Sequence, residues 1–262
     1  MPTAARTLPP VSAPRSSAAA GASTKATTST TSSARRIAVV AFDRIIPFHL
    51  SVPCIVFGEP RPEGGVPPFE VMVCAAEPGP LATTAGFTLN APYGFDALEG
   101  ADVVIVPSWR DAEEAPPAEM RDALRAAHSR GAILVGLCFG AFVLAHAGLL
   151  DGRPATTHWA AADAFARQFP HVRFDPDVLY VDDGDILTSA GTAAGLDCCL
   201  HLLRRLAGTQ SANYVARRLV VPPHRQGSQA QYVQQPVAVR GRAARREAMR
   251  SPWRPSSGGT GG

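Results

Sequence analysis

The chain has 262 residues, of which 46% are hydrophobic, with 25 Lys and Arg against 22 Asp and Glu and a mean hydropathy near zero. This length accommodates one sizeable domain with tails, and the apolar fraction excludes a globally disordered chain. No apolar stretch is long enough to cross a membrane, and five cysteines without the spacing of a disulfide scaffold favour a reduced, cytoplasmic protein.

The first predicted elements alternate between short apolar strands and helices. They are strands at 37–42, 69–75 and 102–106, helices at 47–57 and 116–129, and a Thr- and Gly-rich hairpin or excursion at 81–91. The strands are continuous apolar runs, which is typical of strands buried on both faces. In the second helix Met120, Leu124 and Ala127 recur at helical spacing, and Gly131 follows its end.

The same alternation continues to about residue 225. It predicts strands at 132–137 and 155–157, helices at 139–150, 160–169, 193–206 and 212–219, and a hairpin joining 178–181 to 186–188. The hairpin rests on an Asp-Gly turn between apolar runs. Strands that alternate with helices indicate an α/β fold with a mostly parallel sheet, in which ligands bind beyond the carboxyl ends of the strands.

The charge pattern separates the middle of the chain from its two ends. Residues 1–36 contain basic side chains and no acid, residues 237–262 are also basic, and the middle is net acidic. The acidic middle argues against a broad nucleic-acid surface there. The ends can be solvated tails or segments that touch an anionic partner. Their composition favours disordered tails at 1–35 and 226–262, around a domain at 36–225.

A possible nucleophile follows the strand at 132–137. The sequence Gly136-Leu137-Cys138-Phe139-Gly140 matches the nucleophile elbow, in which the nucleophile occupies a sharp turn between a strand and a helix. Glycines are needed on both sides because side chains there would meet neighbouring backbone. At the start of a helix, free N–H groups and the helix dipole favour a thiolate. The alternative is a buried structural cysteine.

A histidine follows the next predicted strand. As a strand of the parallel sheet, 155–157 places His158 at the same sheet edge as Cys138, where it could act as a base or an orienter for the thiol. A hydrogen-bonded structural histidine is an equal alternative. Trp109 and Arg110 also follow a strand end, where they either line a pocket or pack at its rim.

Other polar and cysteine groups favour structural explanations. Cys198 and Cys199 fit packing inside a helix, since His201 is the only nearby candidate partner for a redox or metal role. The run of aspartates at 182–185 fits a hairpin turn and lacks the spacing of a calcium loop. There is no phosphate-binding glycine motif, so we expect no nucleotide cofactor and no metal.

These motifs carry a family resemblance over about residues 36–237. The segment 136–159 reads GLCFGAFVLAHAGLLDGRPATTHW, and further matching stretches follow in order at 106–111, 175–184, 187–197 and 216–225. Together they resemble the ThiJ/PfpI family of the class I glutamine amidotransferase-like superfamily. The resemblance is greatest to the amino-terminal domain of GlxA-like transcriptional regulators of the AraC/XylS type.

The resemblance implies a flavodoxin-like three-layer sandwich, a homodimer, and a small-molecule pocket at the elbow. Its candidate catalytic residues here are Cys138, His158 and His49, and its candidate pocket residues are Ser108, Trp109, Phe139 and Gly140. The family's enzymes place an acidic residue at the position of His49, and the regulators commonly have Asp there. A protonated His49 would lower the pKa of the thiol, whereas a neutral one would not.

Two functions follow from the resemblance. The first is the ligand-sensing domain of a GlxA-type regulator, and the second is a stand-alone cysteine enzyme of the isonitrile hydratase or glyoxalase kind. The replacement of the acid by His49 favours the first. The residues after Val237 show no apolar period of a recognition helix, so we expect a chain truncated before its DNA-binding domain that binds no operator on its own.

Overall fold

The computed structural model describes residues 34–225 and residue 228. Apart from Ala34, Arg35 and Ser228, the tails predicted at 1–35 and 226–262 lie outside the described residues. Within the described part, the strands are β1 Arg35–Ala41, β2 Phe69–Ala75, β3 Leu81–Ala82, β4 Thr88–Leu89, β5 Val103–Val106, β6 Ile133–Leu137, β7 Pro154–Ala155, β8 Arg173–Phe174, β9 Tyr180–Asp182 and β10 Ile186–Ser189. The α-helices are α1 Pro47–Phe57, α2 Ala118–Ser129, α3 Gly140–His146, α4 Ala162–Gln168 and α5 Thr192–Arg218.

Six strands form the central sheet, in the order β2-β1-β5-β6-β10-β9. All neighbouring pairs are parallel except β9 and β10, which form the antiparallel hairpin predicted across the Asp-Gly turn. The mostly parallel α/β sheet predicted from the sequence is therefore confirmed. Because β1, β5, β6 and β10 run in one direction, their carboxyl ends meet at one edge, which is where the candidate site lies.

Alternating residues of each central strand face two separate apolar layers. In β1, Ala38 and Val40 pack with α2 and α3, whereas Ile37 and Val39 pack with α1 and α5. All four residues are fully buried, which explains why the strand reads as one continuous apolar run. The helices thus cover both faces of the sheet in three layers.

One predicted strand does not join the central sheet. The strand expected at 155–157 is observed as β7, only two residues long, and it pairs in parallel with β8 in a separate small sheet. The strand-order reasoning that placed His158 beside Cys138 is therefore wrong. The strand next to β6 in the central sheet is β10, which pairs with β6 through four residues. The two-residue strand β7 is too short to take that place.

The helices at 193–206 and 212–219 form one continuous segment, α5, with a kink at Gly208. Gly208 has a φ of 86°, which an L-residue rarely adopts, so the two predicted helices meet at a glycine that permits the bend.

The helix expected at 139–150 is shorter than predicted, because α3 stops at His146 shortly before Gly148, which also has a positive φ. Among the described residues, no helix combines the length and the apolarity needed to cross a membrane.

Replacement of Phe142 by Ala tests the packing between the sheet and α3. The Phe142 ring is fully buried and its centroid lies 4.9 Å from that of Phe165. We expect Phe142→Ala to lower the free energy of unfolding by about 3–5 kcal/mol, measured by urea denaturation. Phe48→Ala, which removes the same ring from an exposed position on α1, is the matched control and should cost less than about 1 kcal/mol. Equal losses at the two positions would contradict this packing.

Candidate functional site

A cavity of about 290 Å³ opens at the carboxyl edge of the sheet. Its apolar surface comes from four large side chains, Phe42, Ile46, Trp109 and Phe139. Its polar surface comes from Arg44, His49, Thr84, Ser108, Arg110, Cys138, His158 and Thr192. The buried members, among them His49, Ser108 and Cys138, form the floor, while exposed residues such as Arg44 and Thr84 form the rim. The elbow predicted from the sequence thus lies at the bottom of a pocket that is open to solvent at its rim.

Cys138 occupies the sharp turn between β6 and α3. Its φ of 52° lies in the left-handed region, which is rare for a residue with a side chain. Neighbouring strands hold this backbone, since the Cys138 N–H donates to the Ser189 carbonyl at 3.0 Å and the Thr157 hydroxyl donates to the Cys138 carbonyl at 2.8 Å. These bonds fix the thiol in the floor of the cavity.

The two glycines of the motif are required by close backbone contacts. A Cβ on Gly140 would lie 2.2 Å from the carbonyl oxygen of Val106, and one on Gly136 would lie 2.9 Å from the Gly140 carbonyl. Both distances are too short for any side chain, so the elbow can form only with glycine at these positions. Gly140, which the sequence placed in the ligand pocket, instead packs against β5 and does not line the cavity.

Burial opposes ionisation of the Cys138 thiol. It raises the pKa to about 11, and this outweighs the opposing effects of the Phe139 N–H and the Ser108 hydroxyl. The start of a helix was expected to favour a thiolate, and burial acts in the opposite direction. The side chain is 4% exposed, and the free energy lost by burying a thiolate exceeds what one N–H group and one hydroxyl return.

His49 is a neutral imidazole in the same floor. Burial lowers its pKa to about 4, and His158 adds a smaller lowering. Its Nε2 lies 2.9 Å from the Thr192 hydroxyl, while its Nδ1 is buried with no hydrogen-bond partner among the described residues. Of the two possibilities raised by the sequence, the structure therefore supports the neutral one. This histidine does not act as a cation that activates the thiol.

His158 reaches the cavity through the loop after β7 rather than through the central sheet. Its Nδ1 accepts a hydrogen bond from the Ala160 N–H at 3.0 Å, and its ring packs against Phe139 and Trp159. Burial lowers its pKa as well. Within residues 34–225, the structure shows no hydrogen bond from the Cys138 sulfur to His158 or to His49. The three candidate catalytic residues therefore share a cavity but are not linked as a nucleophile and its base.

The residues predicted around the pocket, apart from Gly140, are found there, and several further lining residues were missed. Ser108, Trp109 and Phe139 line the cavity as the sequence suggested, as does Arg110. Phe42, Arg44 and Thr192 also line it. Two of these were accessible from the strand-end rule, because Phe42 directly follows β1 and Arg44 is the third residue after it. Thr192 begins α5 after β10, at the same edge, and the same rule points to it.

The polar groups outside the cavity have the structural roles expected of them. Asp182 and Asp185, at the hairpin turn, pair with basic side chains including Arg205 and Arg153. Cys198 and Cys199 are fully buried in the layer between α5 and the sheet. In the described part of the chain, no group of histidine, cysteine and carboxylate side chains is arranged to hold a metal ion.

Comparison with known proteins gives a family and a group of relatives. The model of the DJ-1/PfpI family matches residues 35–205. The transcriptional regulator CdhR of Pseudomonas aeruginosa is 34% identical over 149 residues, which is 57% of this chain and 44% of that protein. The isonitrile hydratase of Pseudomonas putida is 31% identical over 146 residues, which is 55% of this chain and 62% of that protein. The matches thus span about half the length of these relatives.

Solved structures share the fold. A putative transcriptional regulator from Vibrio parahaemolyticus superposes with a TM-score of 0.65 at 20% identity, covering 71% of this chain and 99% of that one. At this identity the likeness concerns the fold alone, and it agrees with the six-stranded sheet flanked by helices.

The buried imidazole of His49 predicts a pH dependence of stability. Its pKa is lower in the folded protein than in the unfolded chain, so between about pH 6.5 and pH 4 the unfolded chain binds the extra proton. Stability should therefore fall as the pH falls through this window, by up to about 3 kcal/mol from this one group. We expect urea denaturation of His49→Gln to show a correspondingly shallower pH dependence.

Thr192→Val is the control for that experiment. It removes the hydrogen bond to His49 without removing the titrating group, so the pH dependence should remain. The same steep dependence in the wild type and in His49→Gln would show that His49 is not held neutral by burial.

Proposed function

We propose, from the premise that the chain belongs to the DJ-1/PfpI family, that its domain is the small-molecule sensor of an AraC-type transcriptional regulator. The relatives that support this include the regulators CdhR of Pseudomonas aeruginosa and GlxA of Rhizobium meliloti. The sensing role itself is our inference from the chemistry of the cavity.

One observation carries the proposal, namely that the thiol at the elbow lies in a mainly apolar cavity with no base bonded to it. Burial raises the pKa of Cys138 and lowers those of His49 and His158. A cysteine nucleophile needs a thiolate or a base that takes its proton, and among the described residues neither histidine hydrogen-bonds the Cys138 sulfur. A preformed, mainly apolar cavity with a few directed polar groups is instead typical of a binding site.

The cavity is lined by residues of two helices, α1 and α5, whose packing a bound ligand can change. His49 belongs to α1 and Thr192 begins α5, and their hydrogen bond joins the two helices at the cavity floor. A ligand that pairs with His49 would compete for or reinforce this contact and so bias the packing of α1 on α5. We propose that the chain forms a homodimer, in which such a shift alters the geometry between the subunits.

A cysteine enzyme of the isonitrile hydratase or glyoxalase kind is the second candidate. The observation in its favour is the strained elbow at Cys138, whose sulfur receives the Phe139 N–H. In such a reaction the sulfur would attack an electrophilic carbon, and His158 would move protons. The raised pKa of the thiol argues against this function, as does His49 in the place of the family's acidic residue.

The pH dependence of Cys138 alkylation separates the two candidates. We expect the rate with iodoacetamide, followed by peptide mass spectrometry, to keep rising up to about pH 11 because the thiol deprotonates only there. Cys54, which is half-buried, provides an internal comparison in the same sample. A rate that levels off below pH 8 would indicate an activated thiolate and would favour the enzyme.

A screen of small metabolites tests the sensor function directly. We expect at least one compound to raise the melting temperature of the chain by several degrees, because a ligand that binds only the folded state stabilises it. Ile46→Trp places a larger ring on the cavity rim and should abolish the shift. Phe48→Trp alters a neighbouring exposed residue that does not line the cavity, and it should retain the shift. If the shift persists in Ile46→Trp, the ligand binds elsewhere.

A further inference from the structure

The charges around the cavity are of one sign. Its lining includes two guanidinium groups, those of Arg44 and Arg110, and no carboxylate. The remaining polar groups are hydroxyls, the neutral imidazoles and the protonated thiol. A cationic ligand would find no opposite charge on this surface, whereas an anionic one would find two guanidinium groups nearby.

Arg110 is fully engaged by the protein. Its Nη1 lies 2.5 Å from a Glu77 oxygen and its Nε lies 2.9 Å from a Glu114 oxygen, so two carboxylates hold it. The guanidinium also lies over the Trp109 ring, at 4.6 Å from the centroid. Arg110 therefore braces an aromatic wall of the cavity, and its charge is already compensated.

The backbone of Arg44 is fixed by a hydrogen bond, whereas its side chain has only a long contact with a carboxylate. Its φ of 62° is in the left-handed region, and its N–H donates to the Ala82 carbonyl at 2.9 Å. Its guanidinium is mostly exposed and reaches Glu114 only at 3.9 Å, where Arg110 already occupies that carboxylate. Strained backbone of this kind is maintained by the surrounding structure and clusters at ligand sites, and here it holds a weakly paired cation at the rim.

His49 contributes to the floor without offering a free hydrogen-bonding atom to a ligand. Its Nε2 lies 2.9 Å from the Thr192 hydroxyl, and its Nδ1 is buried and has no hydrogen-bond partner among the described residues. The cavity therefore has one weakly paired charge, Arg44 at its rim, next to walls that are mainly aromatic.

We propose that the cavity binds a small organic carboxylate with an apolar body, whose carboxylate pairs with Arg44. This inference rests on the proposed sensor function and names the class of its ligand. The apolar body of the ligand packs against the aromatic side chains of Phe42, Trp109 and Phe139. The neutral amides of the same acids bind weakly, and amines are rejected because Arg44 is positive and the lining holds no carboxylate.

Matched probes test this assignment. The compounds are phenylacetate, 3-methylbutanoate and 4-hydroxyphenylacetate, the corresponding amides, and 2-phenylethylamine, each titrated against the full chain by ligand-observed NMR. In the wild type we expect each acid to bind about tenfold or more tightly than its amide, as charge-assisted hydrogen bonds to Arg are about twice as strong as neutral ones.

Three variants assign that preference to one residue. Arg44→Gln should reduce the preference for acid over amide to about twofold or less, and Arg44→Lys should retain part of it, because the charge remains without the fork geometry. Arg173→Gln is the charge-matched control, since Arg173 is exposed on β8 and does not line the cavity. It should keep the full preference. Circular dichroism of each variant establishes that it is folded.

The outcomes separate this inference from the proposed function. Amides or the amine binding as tightly as the acids, with binding lost in Ile46→Trp, would overturn the carboxylate assignment and leave the sensor function standing. A preference for acids that survives in Arg44→Gln would overturn the role of Arg44. If no probe and no metabolite in the wider screen binds in an Ile46-dependent way, the sensor function itself fails and this inference fails with it.

Discussion

The turn at Cys138 is the constraint on which the site depends. Its left-handed backbone is held between three parts of the fold, through the Ser189 carbonyl, the Thr157 hydroxyl and the close approach of Gly140 to Val106. None of these contacts involves the sulfur, so the turn stays formed whatever the chemistry of the thiol. A fold that keeps this turn keeps a cavity at the carboxyl edge of its sheet, and the side chains around the cavity decide what it does.

Burial decides the character of this cavity. The turn directs the thiol and the imidazole of His49 into a nearly dry floor, where removing water from a charged form costs more than nearby donors return. Both groups are therefore neutral, and the available charge is at the rim, on Arg44. A family enzyme needs a buried charge on its nucleophile, whereas this chain supplies a neutral floor and mainly apolar walls, which suit reversible binding.

The sequence predicts what is local and misses what depends on several segments at once. The strands, the α/β class and the Gly-x-Cys-x-Gly turn follow from short apolar runs and glycines, and the structure agrees with each. The sequence could not predict which sheet β7 joins. A strand of two residues can pair either with the central sheet or with β8, and the packing of the whole domain decides between them. The neutral state of Cys138 was also missed. It depends on burial contributed by distant parts of the chain, while the sequence shows only the helix start next to it.

A crystal structure of the chain with its tightest-binding small molecule tests the central claim most directly. The account predicts a ligand in the cavity of about 290 Å³, in contact with the imidazole of His49, with the sulfur of Cys138 unmodified and not bonded to the ligand. Continuous electron density from that sulfur to a carbon of the ligand would contradict it, because a covalent adduct requires the reactive thiolate that burial is said to suppress.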